Sequence, residues 1–232
     1  MKVTFDHIET VSHDVKTLWF KPEKPIRQIA GQFTEISLPH KNADDRGERR
    51  WFTLSNSPKD KGLSITTRFL GDEASSFKKN LQKLKPLSTL NLADPMGDFV
   101  LPKDPKIPLL FVAGGIGCTP FHSIIKYLKD TGEKRDIHMI YAANRLEDVI
   151  FKNLFSTLEQ FEIILTNPPD NWNGESGHIK ADYIFDRSDK GERHIYLSGP
   201  EPMVEILDKD LINLGIDRKR LHTDYFPGYQ PI

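Results

Sequence analysis

The chain is expected to fold as two domains, an antiparallel β domain followed by an α/β domain built on a parallel sheet. Three observations carry this. The first hundred residues contain many short segments rich in β-branched and aromatic residues, separated by turn residues. Beyond residue 108, apolar runs alternate with segments of helical pattern, as expected for a parallel sheet wrapped by helices. Between the two lies Leu101-Pro-Lys-Asp-Pro-Lys-Ile-Pro108, a proline-punctuated stretch suited to a domain boundary. The expected domains are residues 1–103 and 104–232.

The expected strands of the first domain are residues 3–5, 16–20, 32–38, 51–54 and 63–69. Several alternate apolar with polar residues, and their number and shortness suggest a sandwich or small barrel. Residues 74–84 interrupt them with a helical pattern, and residues 42–50 form a charged loop. In the second domain, strands are expected at 109–113, 137–142, 161–165 and 194–197, and helices at 121–129, 148–160 and 202–214. Ligands of such sheets sit at the carboxyl ends of the strands. Residues 114–119 and 198–203 directly follow strands, which makes them candidate binding segments.

A chain of 232 residues suits one large domain or two small ones. Its net charge of −1 leaves no electrostatic footprint for nucleic acid. No apolar run approaches the roughly 20 residues of a membrane span. Met1-Lys-Val-Thr-Phe-Asp-His7 lacks the apolar core of a signal peptide. The single cysteine builds neither an internal disulfide nor a four-cysteine iron–sulfur site. The default location is therefore cytoplasmic, or the cytoplasmic face of a membrane complex. The eight histidines show no metal-ligand spacing, so no metal is expected.

The most specific segment is Pro108-Leu-Leu-Phe-Val-Ala-Gly-Gly-Ile-Gly-Cys-Thr-Pro120, a strand, a glycine turn and a helix start in succession. Gly114, Gly115 and Gly117 allow close backbone approach to an anion and tolerate positive φ. A helix start presents free N–H groups and the positive end of its dipole, and Pro120 suits the first helical turn. Such a turn by itself also serves merely to join strand to helix. Two segments add to it, Arg50-Trp-Phe-Thr-Leu-Ser-Asn-Ser-Pro58 upstream and Ile195-Tyr-Leu-Ser-Gly-Pro-Glu-Pro-Met-Val204 downstream. In this order they resemble the ferredoxin–NADP reductase superfamily of flavoproteins. That family carries an Arg-x-Tyr-Ser/Thr flavin motif, a Gly-Gly-x-Gly-x-Thr-Pro nucleotide loop and a Cys-Gly-Pro-x-x-Met segment. The C-terminal Asp224-Tyr-Phe-Pro-Gly-Tyr229 is similar to the acidic and aromatic end of family members.

The resemblance implies a Greek-key β-barrel that holds FAD and an α/β domain that takes NADH or NADPH. It places Arg50 at the FAD pyrophosphate, with Trp51 beside it in the motif, Phe52 at the flavin or ribose, and the Thr53 hydroxyl near N5 and O4. Phe52 departs from the usual Tyr and loses its hydroxyl. The resemblance puts the backbone of Thr66 and Thr67 along the flavin pyrimidine ring, and Ser75 and Ser76 at the pyrophosphate opposite Arg50. Read alone, Ser75 and Ser76 are also an ordinary helix cap. In the nucleotide loop, Cys118 occupies a variable position, where a helix start lowers a thiol's pKa and favours alkylation. Thr119, preceding Pro120, is implied close to the nicotinamide. Ser198 stands where Cys is usual, with Gly199 and Met203 completing that motif. Glu201 is either a nicotinamide neighbour or an acidic first-turn residue. Asn144 and Arg145 follow a strand where the adenosine ribose belongs, and Arg145 is either a 2′-phosphate ligand or a solvated charge. Phe226 is expected to cover the flavin face that nicotinamide must reach, with Tyr225 and Tyr229 as alternatives because Pro227 blurs the register.

The reaction the resemblance implies is hydride transfer from nicotinamide to flavin N5, with Thr53, Thr119, Ser198 and Phe226 at the reacting rings. With no ferredoxin domain, haem domain or cysteine cluster in the chain, electrons are expected to pass to a separate acceptor protein or a small molecule. Ferredoxin, flavodoxin, an oxygenase component and a membrane redox complex all suit. Two alternatives stand beside this: a reductase that releases reduced flavin, and a non-catalytic nucleotide-binding subunit that regulates a partner.

Overall fold

A computed structural model of the chain describes residues 1–71 and 74–226. These fall into two compact units, Met1–Val100 and Leu101–Ile232. The first unit contains β1 (Lys2–Thr10), β2 (Val15–Pro22), β3 (Phe33–Ser37), β4 (Arg49–Thr53), β5 (Leu63–Arg68), α1 (Ser76–Gln82) and β6 (Thr89–Leu92). The strands form one antiparallel sheet in the order β4-β3-β6-β1-β2-β5. β6 is the last strand of this unit yet lies between β3 and β1, which makes the connection a Greek key. An isolated bridge from Leu54 to Ile65 links the two sheet edges, and Ser55 N–H donates to the Ser64 carbonyl at 2.8 Å. The sheet is thereby closed into a barrel and its edges are removed.

Alternation drives this closure. Val3 and Phe5 on β1 and Leu18 and Phe20 on β2 point inward with Ile36 and Ile65, and Phe77 and Leu81 of α1 pack on the same core. Burial of these side chains is the main favourable term for the unit. The sequence pattern did not reveal β6, whose Thr-Leu-Asn-Leu is short and half polar.

The second unit contains β7 (Leu109–Gly114), α2 (Thr119–Thr131), β8 (Ile137–Ala143), α3 (Lys152–Phe155), β9 (Gln160–Leu165), β10 (Glu175–Ser176), α4 (Ala181–Arg187), β11 (His194–Pro200), α5 (Glu201–Asn213) and β12 (Leu221–Phe226). Its sheet is parallel throughout, in the order β10-β9-β8-β7-β11-β12. Every residue of central β7 is buried, as an unbroken apolar run with helices on both faces requires. α2 ends at Gly132, a left-handed cap at φ 71° whose N–H returns to the Lys129 carbonyl.

The helix expected over 148–160 does not form. Phe151 takes a left-handed φ of 57°, and only the single turn of α3 follows. The reason is tertiary. The Phe151 ring lies 3.8 Å from that of His122 on α2, and Phe155 is fully buried edge-on to Tyr141. Anchoring these two rings outweighs the local helical preference. α4 and β10 were likewise absent from the sequence reading. Among the described residues no helix is long and apolar enough to cross a membrane.

Candidate functional site

In the second unit, β7 runs into a 3₁₀ turn at Gly115–Cys118 and then into α2, so strand, glycine loop and helix start follow one another without interruption. The glycines differ in what they do. Only Gly115 has positive φ, at 50°. Gly114 is extended, with φ −110° and ψ 112°. At Gly114 a Cβ would lie 2.6 Å from the Met203 sulfur. At Gly117 a Cβ would lie 2.4 Å from the Ser198 carbonyl oxygen and 2.6 Å from the Gly199 Cα. The freedom for positive φ expected of all three glycines is used by Gly115 alone. Gly114 and Gly117 let the loop backbone rest against Met203 and the turn between β11 and α5.

That turn is Ser198–Met203, at the carboxyl end of β11 and beside the carboxyl end of β7. A Cβ on Gly199 would meet the Met203 Cε at 2.7 Å and the Gly114 Cα at 3.2 Å. Met203, on the first turn of α5, therefore packs against both Gly114 and Gly199, and it belongs to the core of this unit. Glu201 opens α5, where an acidic residue is favoured by the helix dipole. The Ser198 side chain is fully buried, and its Oγ has no hydrogen-bond partner. A buried hydroxyl without a partner carries a desolvation cost of about 1–3 kcal/mol.

Thr119 is buried, and its Oγ1 donates to the Ile116 carbonyl at 3.1 Å, closing the loop on itself. Pro120 occupies the first turn of α2 as expected. Cys118 is fully buried, which removes the accessibility that alkylation demands. Tyr141 on β8 donates to the Gly115 carbonyl at 3.0 Å from a buried position. It sets the orientation of the loop, and its partner lies in the turn after another strand, 26 positions away in the chain. Its signal is a Tyr in the apolar second half of β8, since a buried Tyr hydroxyl needs an acceptor.

Asn144 and Arg145 follow β8. Asn144 accepts from Asn167 at its side chain and again at its backbone, where Asn167 N–H donates at 2.8 Å. Arg145 is largely exposed and lies 3.5 Å from Glu147, while its backbone N–H donates to the Asp148 carboxylate at 3.1 Å. Phe226 ends β12 in register with Pro200, and Tyr225 is paired with Gly199 and half exposed. Both belong to the same end of the sheet as Ser198. Tyr229 lies outside the described residues.

In the first unit, Arg50 and Phe52 alternate on β4 with Trp51 and Thr53. Trp51 is 68% exposed and donates from Nε1 to Glu35 at 3.2 Å. Phe52 and Thr53 are buried. The Phe52 ring packs against Phe77 at 5.9 Å, inside the barrel core, rather than standing open to a stacking partner. The Arg50 guanidinium lies 5.3 Å over the same Phe77 ring. Its Nη1 donates to the carbonyls of Arg46, Gly47 and Arg49, and its Nη2 to Asp44 at 3.3 Å. Burial and the neighbouring Arg46 lower its pKa, while Asp44 opposes them.

Ser75 caps α1 by accepting from Lys78 N–H at 3.3 Å. Ser76 is bonded to Asp44 from its backbone N–H at 2.7 Å and through its Oγ at 2.9 Å. The Ser76 backbone N–H, against the effect of desolvation, holds the Asp44 carboxyl below the usual carboxylate range. Arg50 and Ser76 are thus linked through Asp44, a residue of the charged loop 42–50, while Ser75 caps the helix that Ser76 begins.

Thr66 and Thr67 are buried on β5. The Thr66 hydroxyl joins Thr17 at 2.8 Å and Ser55 at 2.9 Å, and Ser55 joins Ser64 at 3.0 Å. These four hydroxyls satisfy one another, and all four residues are buried.

Residues 111–209 match the oxidoreductase NAD-binding domain. Across 92% of its length the chain is 28% identical to the glycine betaine monooxygenase reductase subunit of Chromohalobacter salexigens, covering 60% of that protein. The chain spans between 59% and 65% of the length of the first curated relatives it matches. The FAD/NAD-binding domain of nitric oxide dioxygenase from Vibrio cholerae superposes with a TM-score of 0.82 at 19% identity, over 97% of this chain and 98% of that one. A ferredoxin NADP⁺ reductase from Neisseria gonorrhoeae, with bound FAD and NADP, superposes with a TM-score of 0.76 at 17% identity, over 99% and 98%.

Proposed function

We propose that this chain, which resembles the ferredoxin–NADP reductase-like oxidoreductases in its NAD-binding segment and its fold, is an FAD-dependent NAD(P)H oxidoreductase that delivers electrons to a separate acceptor. The observation that carries the reading is the orphaned, fully buried Ser198 hydroxyl beside the glycine loop, at the carboxyl ends of parallel strands β7 and β11. A nicotinamide carboxamide offers both a donor and an acceptor to such a hydroxyl. The residues present fit both groups. Arg50 and Ser76 supply charged and neutral donors for a diphosphate, and the start of α2 supplies backbone N–H groups for a second one.

FAD, when bound, supplies the acceptance of a hydride from the nicotinamide and the onward release of electrons. The protein's share is binding and orientation. Gly115 turns the loop so that α2 starts immediately after β7, and Tyr141 holds that turn in place. Thr119 is locked by Ile116 and thus presented in one rotamer. Met203 and Gly114 exclude water from the floor of the loop. Arg50 engages phosphate, and the hydroxyl cluster at Thr66 stiffens β5, where the flavin edge would lie. Asn144 and Arg145 are the candidate contacts for the adenosine ribose of the nucleotide.

The acceptor proposed is a partner protein. The relatives named above include a reductase subunit of a monooxygenase, and related matches include an electron transfer component of a toluate dioxygenase. Stopped-flow mixing with NADH and NADPH tests the reading. Bleaching of the visible flavin spectrum is expected with at least one of them, and a yellow protein that neither nucleotide bleaches is a non-catalytic binder.

A further inference from the structure

Arg50 and Ser76, the groups proposed to hold the flavin diphosphate, are both taken by one carboxylate of the chain itself. Asp44 Oδ1 accepts from Arg50 Nη2 at 3.3 Å, and Oδ2 accepts from the Ser76 backbone N–H at 2.7 Å. The Ser76 hydroxyl is committed as well. Its oxygen accepts from the Asp44 N–H at 2.9 Å. His40 Nδ1 lies 2.7 Å from the Leu38 carbonyl, and its Nε2 lies 2.9 Å from Ser76 Oγ. The three carbonyls on Arg50 Nη1 come from the same loop. A segment of chain thus fills a guanidinium and a serine with the oxygens a diphosphate would use.

We propose that Asp44 determines how firmly flavin is retained, because its carboxylate competes with the FAD diphosphate for Arg50 and Ser76 and so makes the flavin exchangeable. The proposal rests on the flavin reading above. Two anions cannot share these donors, since like charges a few ångströms apart repel while each needs the same N–H groups. A phosphate that displaces the carboxylate gains Arg50 but forfeits the Asp44 pairing, so its net gain is small. A phosphate that leaves is replaced at once by a tethered anion at high local concentration. Asp44 lies on the loop before β4, outside the barrel strands. This predicts exchange without unfolding.

A strut that merely pre-organised Arg50 and Ser76 would have the opposite sign: removing it would weaken flavin binding. The full chain with Asp44→Asn, and separately with Asp44→Ser in case the amide misfolds, separates the two. FAD affinity is read by fluorescence titration of deflavinated protein, and FAD release by dilution of the holoprotein, with far-UV circular dichroism as the folding check. Competition predicts FAD binding tighter by about tenfold or more in both variants, slower release, and no change for riboflavin, which lacks phosphate. Asp44→Glu, which keeps the charge, stays near wild type. Equal or weaker FAD binding in the folded Asp44→Asn or Asp44→Ser protein overturns the proposal while leaving the flavin reading intact. A wild-type chain that takes up no FAD overturns both.

Discussion

The Cα of Gly199 lies 2.6 Å from the position a Cβ on Gly117 would occupy, so the nucleotide loop and the turn leading into α5 meet backbone against backbone. The two segments that carry the proposed nicotinamide chemistry are therefore positioned by each other. A side chain between them would separate Ser198 from the start of α2 before it obstructed any ligand.

Gly117→Ala should therefore destabilise the protein as well as impair nucleotide binding. The obstructing atoms are backbone, which cannot rotate away. Overpacking of this kind costs typically about 1–3 kcal/mol. Gly132→Ala is the contrast, with φ 71° and nothing within 4 Å, so only the left-handed strain of about 1–2 kcal/mol applies. Thermal melting with NAD(P)H titration distinguishes them: Gly117→Ala loses both stability and nucleotide affinity, Gly132→Ala stability alone. A Gly117→Ala protein with unchanged melting would refute the packing role.

In an Asp44→Asn background, where no carboxylate competes for the guanidinium, Arg50→Ala should weaken FAD binding by roughly 10- to 150-fold, the equivalent of one charge-assisted bond of about 1.5–3 kcal/mol. Lysine should not restore it fully, because a point charge does not reproduce the fork that spans three carbonyls and Asp44. Titration of the deflavinated proteins with FAD is the measurement, and unchanged affinity returns Arg50 to the role of a loop anchor.

Ser198→Ala should separate stability from function. Its hydroxyl is buried and unpartnered, so removing it leaves the melting temperature unchanged or raised. NAD(P)H-dependent flavin reduction should slow. A drop in melting temperature with normal reduction kinetics would mean that the hydroxyl is satisfied within the fold and touches no ligand.

Cys118 should be inert to thiol reagents in the native protein and titrate as one thiol only after denaturation, because it is fully buried where β7 meets α2. Quantifying thiol with an aromatic disulfide reagent before and after guanidinium checks this. Rapid native labelling would show that the loop opens on its own.

Acid should destabilise the second unit through His194. Burial, and secondarily the Arg220 charge, lower its pKa, with Asp217 opposing them. His222 Nε2 lies 3.3 Å from its Nδ1, and Tyr196 stacks on the His222 ring at 4.3 Å. A native histidine that resists protonation binds fewer protons than its unfolded counterpart. Stability therefore falls as pH drops below about 6.5, the ordinary histidine value, and continues to fall toward the depressed native one. Urea melts at about pH 7 and about pH 5 should show this loss, and His194→Asn should reduce it. An unchanged pH dependence in the variant would exonerate His194.

The residues whose meaning is local were readable from the chain alone. Leu109–Gly114, the glycine turn and Thr119-Pro120 lie within a dozen positions, and their order already specifies a strand, an anion-sized turn and a helix start. The same holds for the alternation of β1 and β2 and the boundary prolines. Tertiary structure decided what depends on partners far along the chain. Gly114 and Gly117 avoid clashes with Met203 and Ser198, Tyr141 holds Gly115, and Asp44 binds Arg50 and Ser76. It also replaced the helix expected over 148–160 with a left-handed Phe151 locked against His122. Sequence periodicity reports which face of an element is apolar. It carries no information about which distant backbone will lie within 3 Å of a glycine, or which carboxylate will reach a guanidinium first, because those depend on how separately formed elements pack.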